Sequence, residues 1–183
     1  MTESDIALRL ADRADESPLL SAAAVVRGRA QLAQGDLDAA ASSLRKARSE
    51  ADDILPLQAS VAALQARLAL ARGEAREAAK AADRSLALWR EAQDVGGVLA
   101  TLPLRADIDI ALGSSASALE SWNASARIAE SSGLPRVAIR SHLRAARLDA
   151  ASSGTRVERA REILRSSGIP LASLPAELQE PLR

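Results

Sequence analysis

The chain has 183 residues, enough for one domain with a proper core, and its 24 Lys+Arg balance 24 Asp+Glu, so it lacks the basic excess of duplex-DNA and anionic-membrane binders. Cysteine is absent, which rules out disulfides, thiolate chemistry and Cys-based zinc sites. No run reaches the roughly 18 apolar residues that span a bilayer, and the charged start MTESDIALRLADR lacks the apolar core of a secretory leader, so the chain reads as cytoplasmic.

Residues 3–15 form the first predicted helix, with Ala7, Ala11 and Ala14 at offsets of four and seven residues that place them on one stripe. The stripe recurs in Ala40/Leu44/Ala47, Ala78/Ala82/Ser85, Ala118/Trp122/Ser125 and Ala160/Leu164/Ser167, whose first members lie 33, 38, 40 and 42 residues apart. Between the copies, glycines at 35, 73, 113 and 154 end one apolar-periodic stretch just before the next begins, and they read as hairpin corners. The predicted pairs are residues 18–34 with 36–52, 56–72 with 74–92, 95–112 with 114–131, and 134–153 with 155–167. Pro18 and Pro56 open first helices at tolerated sites. Helix 3–15 carries the stripe of a second-of-pair helix with no first-of-pair helix before it. It is either a specialised cap or a half repeat of a longer array. Residues 170–183, with Pro170, Pro175 and Pro181, are expected as a tail with one short capping turn at 175–180, whose Leu171, Leu174 and Leu178 cover the last hairpin.

With no Phe or Tyr, and only Trp89 and Trp122 as aromatic residues, these helices must pack closely through small side chains. The fold class that follows is an all-α, right-handed superhelical solenoid of antiparallel helical hairpins, about nine helices in residues 1–169 plus the cap. Lysine occurs only at positions 46 and 80, and with the alanine richness this suggests a GC-rich bacterial coding bias.

Gly28, Gly35, Leu37, Ala40, Leu44 and Ala47 carry a small residue in mid-helix, a glycine corner and an Ala-xxx-large-xx-Ala stripe. The pattern returns in Ala66, Gly73, Ala75, Ala78, Ala82 and Ser85, and in Ala106, Gly113, Ala118, Trp122 and Ser125. Over residues 18–167 the chain resembles the tetratricopeptide repeat, although it lacks the family's regular early aromatic, its later Tyr and its closing Pro. The longer periods are similar to the looser arrays of bacterial ATP-dependent transcription regulators of the maltose-activator and LuxR type. That resemblance implies an effector-sensing or docking portion of such a regulator.

Catalytic signals are missing. Gly96–Gly97 lack the GK[ST] ending of a phosphate-binding loop, and the single histidine, His142, cannot build a His-based metal triad and reads as a surface residue. Asp107 and Asp109 fall on different sides of a helix, unlike convergent catalytic carboxylates. The expectation is a protein without enzymatic activity, cofactor or metal, and without nucleic-acid or membrane partners.

The resemblance implies that first-of-pair helices line a concave groove. Arg29, Arg67 and Asp107 each follow the small packing position; Val25, Ala63 and Pro103 lie one turn earlier, and Leu32, Leu70 and Ile110 three residues later, with Arg144 in the fourth pair. Such a groove suits a protein or peptide of acidic character, or else the arginines merely solvate the inner face. Pro103 predicts a kink, or a helix regular only from about Thr101, with a freed carbonyl near Leu99. Trp122 is expected in the core, and Trp89 either in the core or exposed as a binding hot spot. A third reading is homodimerisation through Ile6 and Leu10 of helix 3–15.

Overall fold

The computed structural model describes residues 17–51 and 53–182, and among them every regular element is helical. Helices α1 Ser17–Ala33, α2 Leu37–Ser49, α3 Leu55–Ala71, α4 Ala75–Glu91, α5 Val95–Ala111, α6 Ser115–Ser131, α7 Pro135–Leu148 and α8 Ser153–Ser167 follow one another. A 3₁₀ turn at Leu171–Ser173, a short α9 at Ala176–Gln179 and a second 3₁₀ turn at Glu180–Leu182 complete the chain. The protein is all-α, as the periodicity predicts. Helix 3–15, with Ile6 and Leu10, lies outside the described residues.

The drifting spacing of the sequence stripe conceals a constant step. Helices α3 to α7 begin at residues 55, 75, 95, 115 and 135, because 17-residue helices alternate with three-residue turns. Where consecutive helices pack side by side, α1 with α2, α3 with α4, α6 with α7 and α7 with α8, short connections make them run antiparallel. Five turns close identically, the N–H after a left-handed residue bonding back into the preceding helix. Asp36 bonds to the Gln31 carbonyl at 3.0 Å, Glu74 to Ala69 at 2.9 Å, Asp94 to Trp89 at 3.0 Å, Ser114 to Asp109 at 2.8 Å and Leu134 to Ala129 at 2.8 Å. Gly35, Gly73, Gly113 and Gly133 hold the left-handed place with φ between 65° and 79°, whereas Gln93 holds it at 55°, a conformation costing about 1–2 kcal/mol for a residue with a side chain.

Gly154 is not a corner. It sits in the first turn of α8, and the connection from α7 is built instead on Asp149, whose carboxylate accepts from Ala151 N at 3.1 Å and from the Ser152 hydroxyl. Because α7 has only 14 residues, the fifth stripe is one turn out of register with the others, and although Ala160 is buried, Ser167 is exposed.

The described chain packs as two compact units, one ending at Leu104 and the other beginning at Arg105, so the division falls inside α5. In the first unit Leu20, Ala24, Leu44, Val61, Leu64 and Leu68 form a core around Ala40 and Ala47, which are fully buried. At Gly28 a Cβ would stand 2.7 Å from Leu64 Cδ2, so the missing side chain lets α1 approach α3. Buried serines link helices within pairs: Ser21 donates to the Ala47 carbonyl at 2.9 Å and Ser85 to the Ala59 carbonyl at 2.8 Å. Each bond satisfies a hydroxyl that would otherwise be costly to bury. The second unit centres on Trp122, packed among Ala106, Ala118 and Ala145, and the Ser125 and Ser141 hydroxyls meet at 2.8 Å.

Helix α5 runs through Pro103 from Val95, so the late start near Thr101 does not occur. The Asp94 carboxylate accepts from Gly97 N at 2.8 Å and secures the first turn upstream of the proline, while the Thr101 hydroxyl donates to the Gly97 carbonyl at 2.9 Å. Leu99, whose carbonyl the proline deprives of a helical donor, is buried and is not presented as a surface acceptor.

Candidate functional site

In the first unit, α1, α3, α4 and the start of α5 enclose a shallow cleft of about 90 Å³ lined by Val25, Arg29, Ser60, Ala63, Leu64, Arg67, Trp89, Ala100 and Thr101. Arg29 is exposed and Arg67 half-buried. Val25 and Ala63, one turn before each arginine, form the floor, as helical spacing requires. The structure thus joins the two arginines expected on the first-of-pair helices in one place.

Other expected groove residues lie elsewhere. Leu32, about 60° round the helix from Arg29, falls on the flank that packs against the α1–α2–α3 core, and Leu70 is half-buried at the Gly73 corner, where its carbonyl accepts from Gly73 N at 2.9 Å. Asp107, Ile110 and Arg144 belong to the second unit; Asp107 and Ile110 are exposed, and Arg144 stands 4.0 Å from the Glu177 carboxylate.

Trp89 is half-buried and forms a wall of the cleft. Its indole lies against the backbone of Gly97, where a Cβ would come within 2.1 Å of Cδ2. Gly97 is therefore a close-approach glycine. Sequence reasoning missed this pairing, together with Ser60, Ala100 and Thr101. The signal available was a Trp eight residues before a Gly across a helix turn, and it carries no information on which way the indole points.

A second polar site lies in the second unit. His142 Nε2 meets Glu130 Oε1 at 2.7 Å, the other Glu130 oxygen pairs with Arg159, and Arg159 also holds Glu162 at 2.7 Å, so α6, α7 and α8 are tied together. The His142 side chain is 13% exposed and its Nδ1 is buried without a partner, so the surface reading of this residue fails. Beside it Arg156 donates to Asn123 Oδ1 at 2.6 Å and to Ser152 Oγ at 2.7 Å. Glu120, Asn123, Ala126, Arg127, His142 and Arg156 line an open cleft of about 480 Å³.

Burial pushes the Glu130 carboxyl up, but the hydrogen bonds from Arg159 and His142 outweigh it and hold the group below its ordinary 4.5. A depressed folded-state value means that its stabilisation is complete above pH 4.5 and is lost as pH falls through the lower folded value. Urea midpoints should fall on acidification below that point, and Glu130→Gln should flatten this part of the profile. An equally steep decline in that variant would refute the assignment.

No protein-family model matches the chain, and no curated protein matches it in sequence. Among solved structures it is similar to BtubC (BKLC) from P. vanneervenii, with a TM-score of 0.77 and 18% identity over 98% of this chain and 77% of that one. The fold is that of a helical-repeat protein. At this identity the likeness speaks for the fold alone. Among the described residues, no helix is long and apolar enough to cross a membrane.

Proposed function

We propose that this chain is a non-catalytic, tetratricopeptide-like scaffold whose first unit docks an acidic peptide segment of a partner protein. The observation that carries the reading is the convergence of Arg29 and Arg67 with Val25, Ala63 and Trp89 in one cleft. Guanidinium groups grip carboxylates through paired donors, and a neighbouring indole supplies contact area at little entropic cost. A cleft of about 90 Å³ accepts one or two side chains of a longer segment and is well below the roughly 300–1,000 Å³ of small-molecule pockets.

The test is a peptide library selected on the full chain, followed by anisotropy titration of the selected peptides. Acidic sequences should be enriched, and the double variant Arg29→Glu, Arg67→Glu should weaken binding about tenfold or more, since hydrogen bonds to charged groups contribute about 1.5–3 kcal/mol. Selection of peptides without acidic residues, or undiminished binding by the variant, removes the arginines from the proposal.

A second reading, an effector-sensing portion of a bacterial regulator, is favoured by one observation: the second unit's open cleft of about 480 Å³ falls within the small-molecule range and is lined by Glu120, Arg127 and Arg156. A small effector there would protect the second unit from unfolding without competing with peptide.

A further inference from the structure

The C-terminal segment is held in a regular way that neither reading uses. Three arginines grip main-chain carbonyls spaced four residues apart: Arg136 on Ser173 at 2.9 Å, Arg147 on Glu177 at 3.0 Å and Arg161 on Pro181 at 3.2 Å. The residue after each gripped carbonyl is a leucine, and Leu174, Leu178 and Leu182 are all buried. Arg144 faces the Glu177 carboxylate at 4.0 Å. On α7, positions 136, 140, 144 and 147 are all arginine at helical spacing, and Arg136, Arg144 and Arg147 meet the segment, which carries Glu177 and Glu180.

Each contact has a different information content. A main-chain carbonyl is common to every residue, so guanidinium groups aimed at carbonyls hold a chain through its backbone, and Arg136 alone of the three adds a side-chain bond, to the Ser173 hydroxyl at 2.8 Å. The leucine sites read spacing, and Arg144 reads negative charge. This is how peptide-recognition surfaces divide affinity from specificity. The grips of Arg136 and Arg147 lie at the exposed surface, and the segment leaves α8 through left-handed Gly168, so it forms a separate element laid on the hairpin.

We propose that the face of α7 and α8 beneath residues 171–182 is a docking site for a partner protein's acidic segment with leucine at every fourth position, and that the chain's own C-terminal segment occupies it as an intramolecular competitor. Apparent affinity for the partner is then reduced by the fraction of molecules whose own segment is seated.

The probe is a fluorescent peptide of residues 170–183 titrated into the full chain. Wild type should bind it weakly. Leu178→Asp, which unseats the chain's own segment, should tighten binding about tenfold or more, and adding Arg147→Glu should abolish the gain. Unchanged peptide affinity in a Leu178→Asp chain of wild-type helix content would overturn the proposal. If that variant unfolds, amide exchange in wild type decides. Amides of 171–182 should exchange about tenfold or more faster than those of α7, and joint exchange of the two would show that the segment never opens alone.

Discussion

Replacing Trp122 with alanine is expected to cost about 3–5 kcal/mol, the range for emptying a buried aromatic site, measured as the loss of unfolding free energy in urea. Trp122 is 4% exposed and its neighbours Ala106, Ala118 and Ala145 are fully buried. Alanines anchored to helix backbones have no side-chain freedom with which to close a void, so the cavity persists and the cost falls toward the upper part of the range. Trp122→Phe should cost clearly less, because much of the volume stays filled. A loss of under about 1 kcal/mol for the alanine variant would mean that the helices collapse onto the site and that close packing through small residues is not what holds this unit.

Arg105→Met should destabilise the protein by about 3–5 kcal/mol, for an electrostatic reason. Asp109 is only 3% exposed, and Arg105, one turn earlier on α5, pairs with its carboxylate. Methionine keeps most of the aliphatic stem but leaves a buried charge with its partner removed. The double variant Arg105→Met, Asp109→Leu should recover most of the loss, since an apolar pair of similar volume replaces a buried ion pair at little or no cost. Chemical denaturation of both variants provides the check. If the double variant is no more stable than the single, the cost does not arise from the stranded carboxylate.

The two aspartates of α5 show how far the candidate residues could be read from sequence. Helical geometry places Asp107 and Asp109 on different sides, and they are found so, Asp107 exposed and Asp109 buried. The pattern could not say which side faces the core. The same holds for the arginines: their place after the small packing position was legible, and Arg29 and Arg67 share a cleft. Leu32, three residues beyond Arg29, points to the core instead, because such a step rotates a side chain most of the way back around the helix and only neighbouring helices decide which flank is covered. His142 misled because its partner Glu130, and the Arg159 that pairs with Glu130, come from two other helices.

What the sequence determined by itself was the all-α class and the close-packed stripe. Stripes that begin on alanine and repeat at offsets of four and seven residues are a local, backbone-imposed code, and Ala40, Ala78, Ala118 and Ala160 are each fully buried. The corners at Gly35, Gly73 and Gly113 were legible for the same local reason, since a left-handed helix end prefers glycine. Tertiary structure alone decided the rest: the left-handed Gln93, the shift of the fifth stripe, the indole seated on Gly97 and the arginine grips on the C-terminal segment. Each of these depends on contacts between groups distant along the chain or on strain offset by neighbours, which no periodicity records.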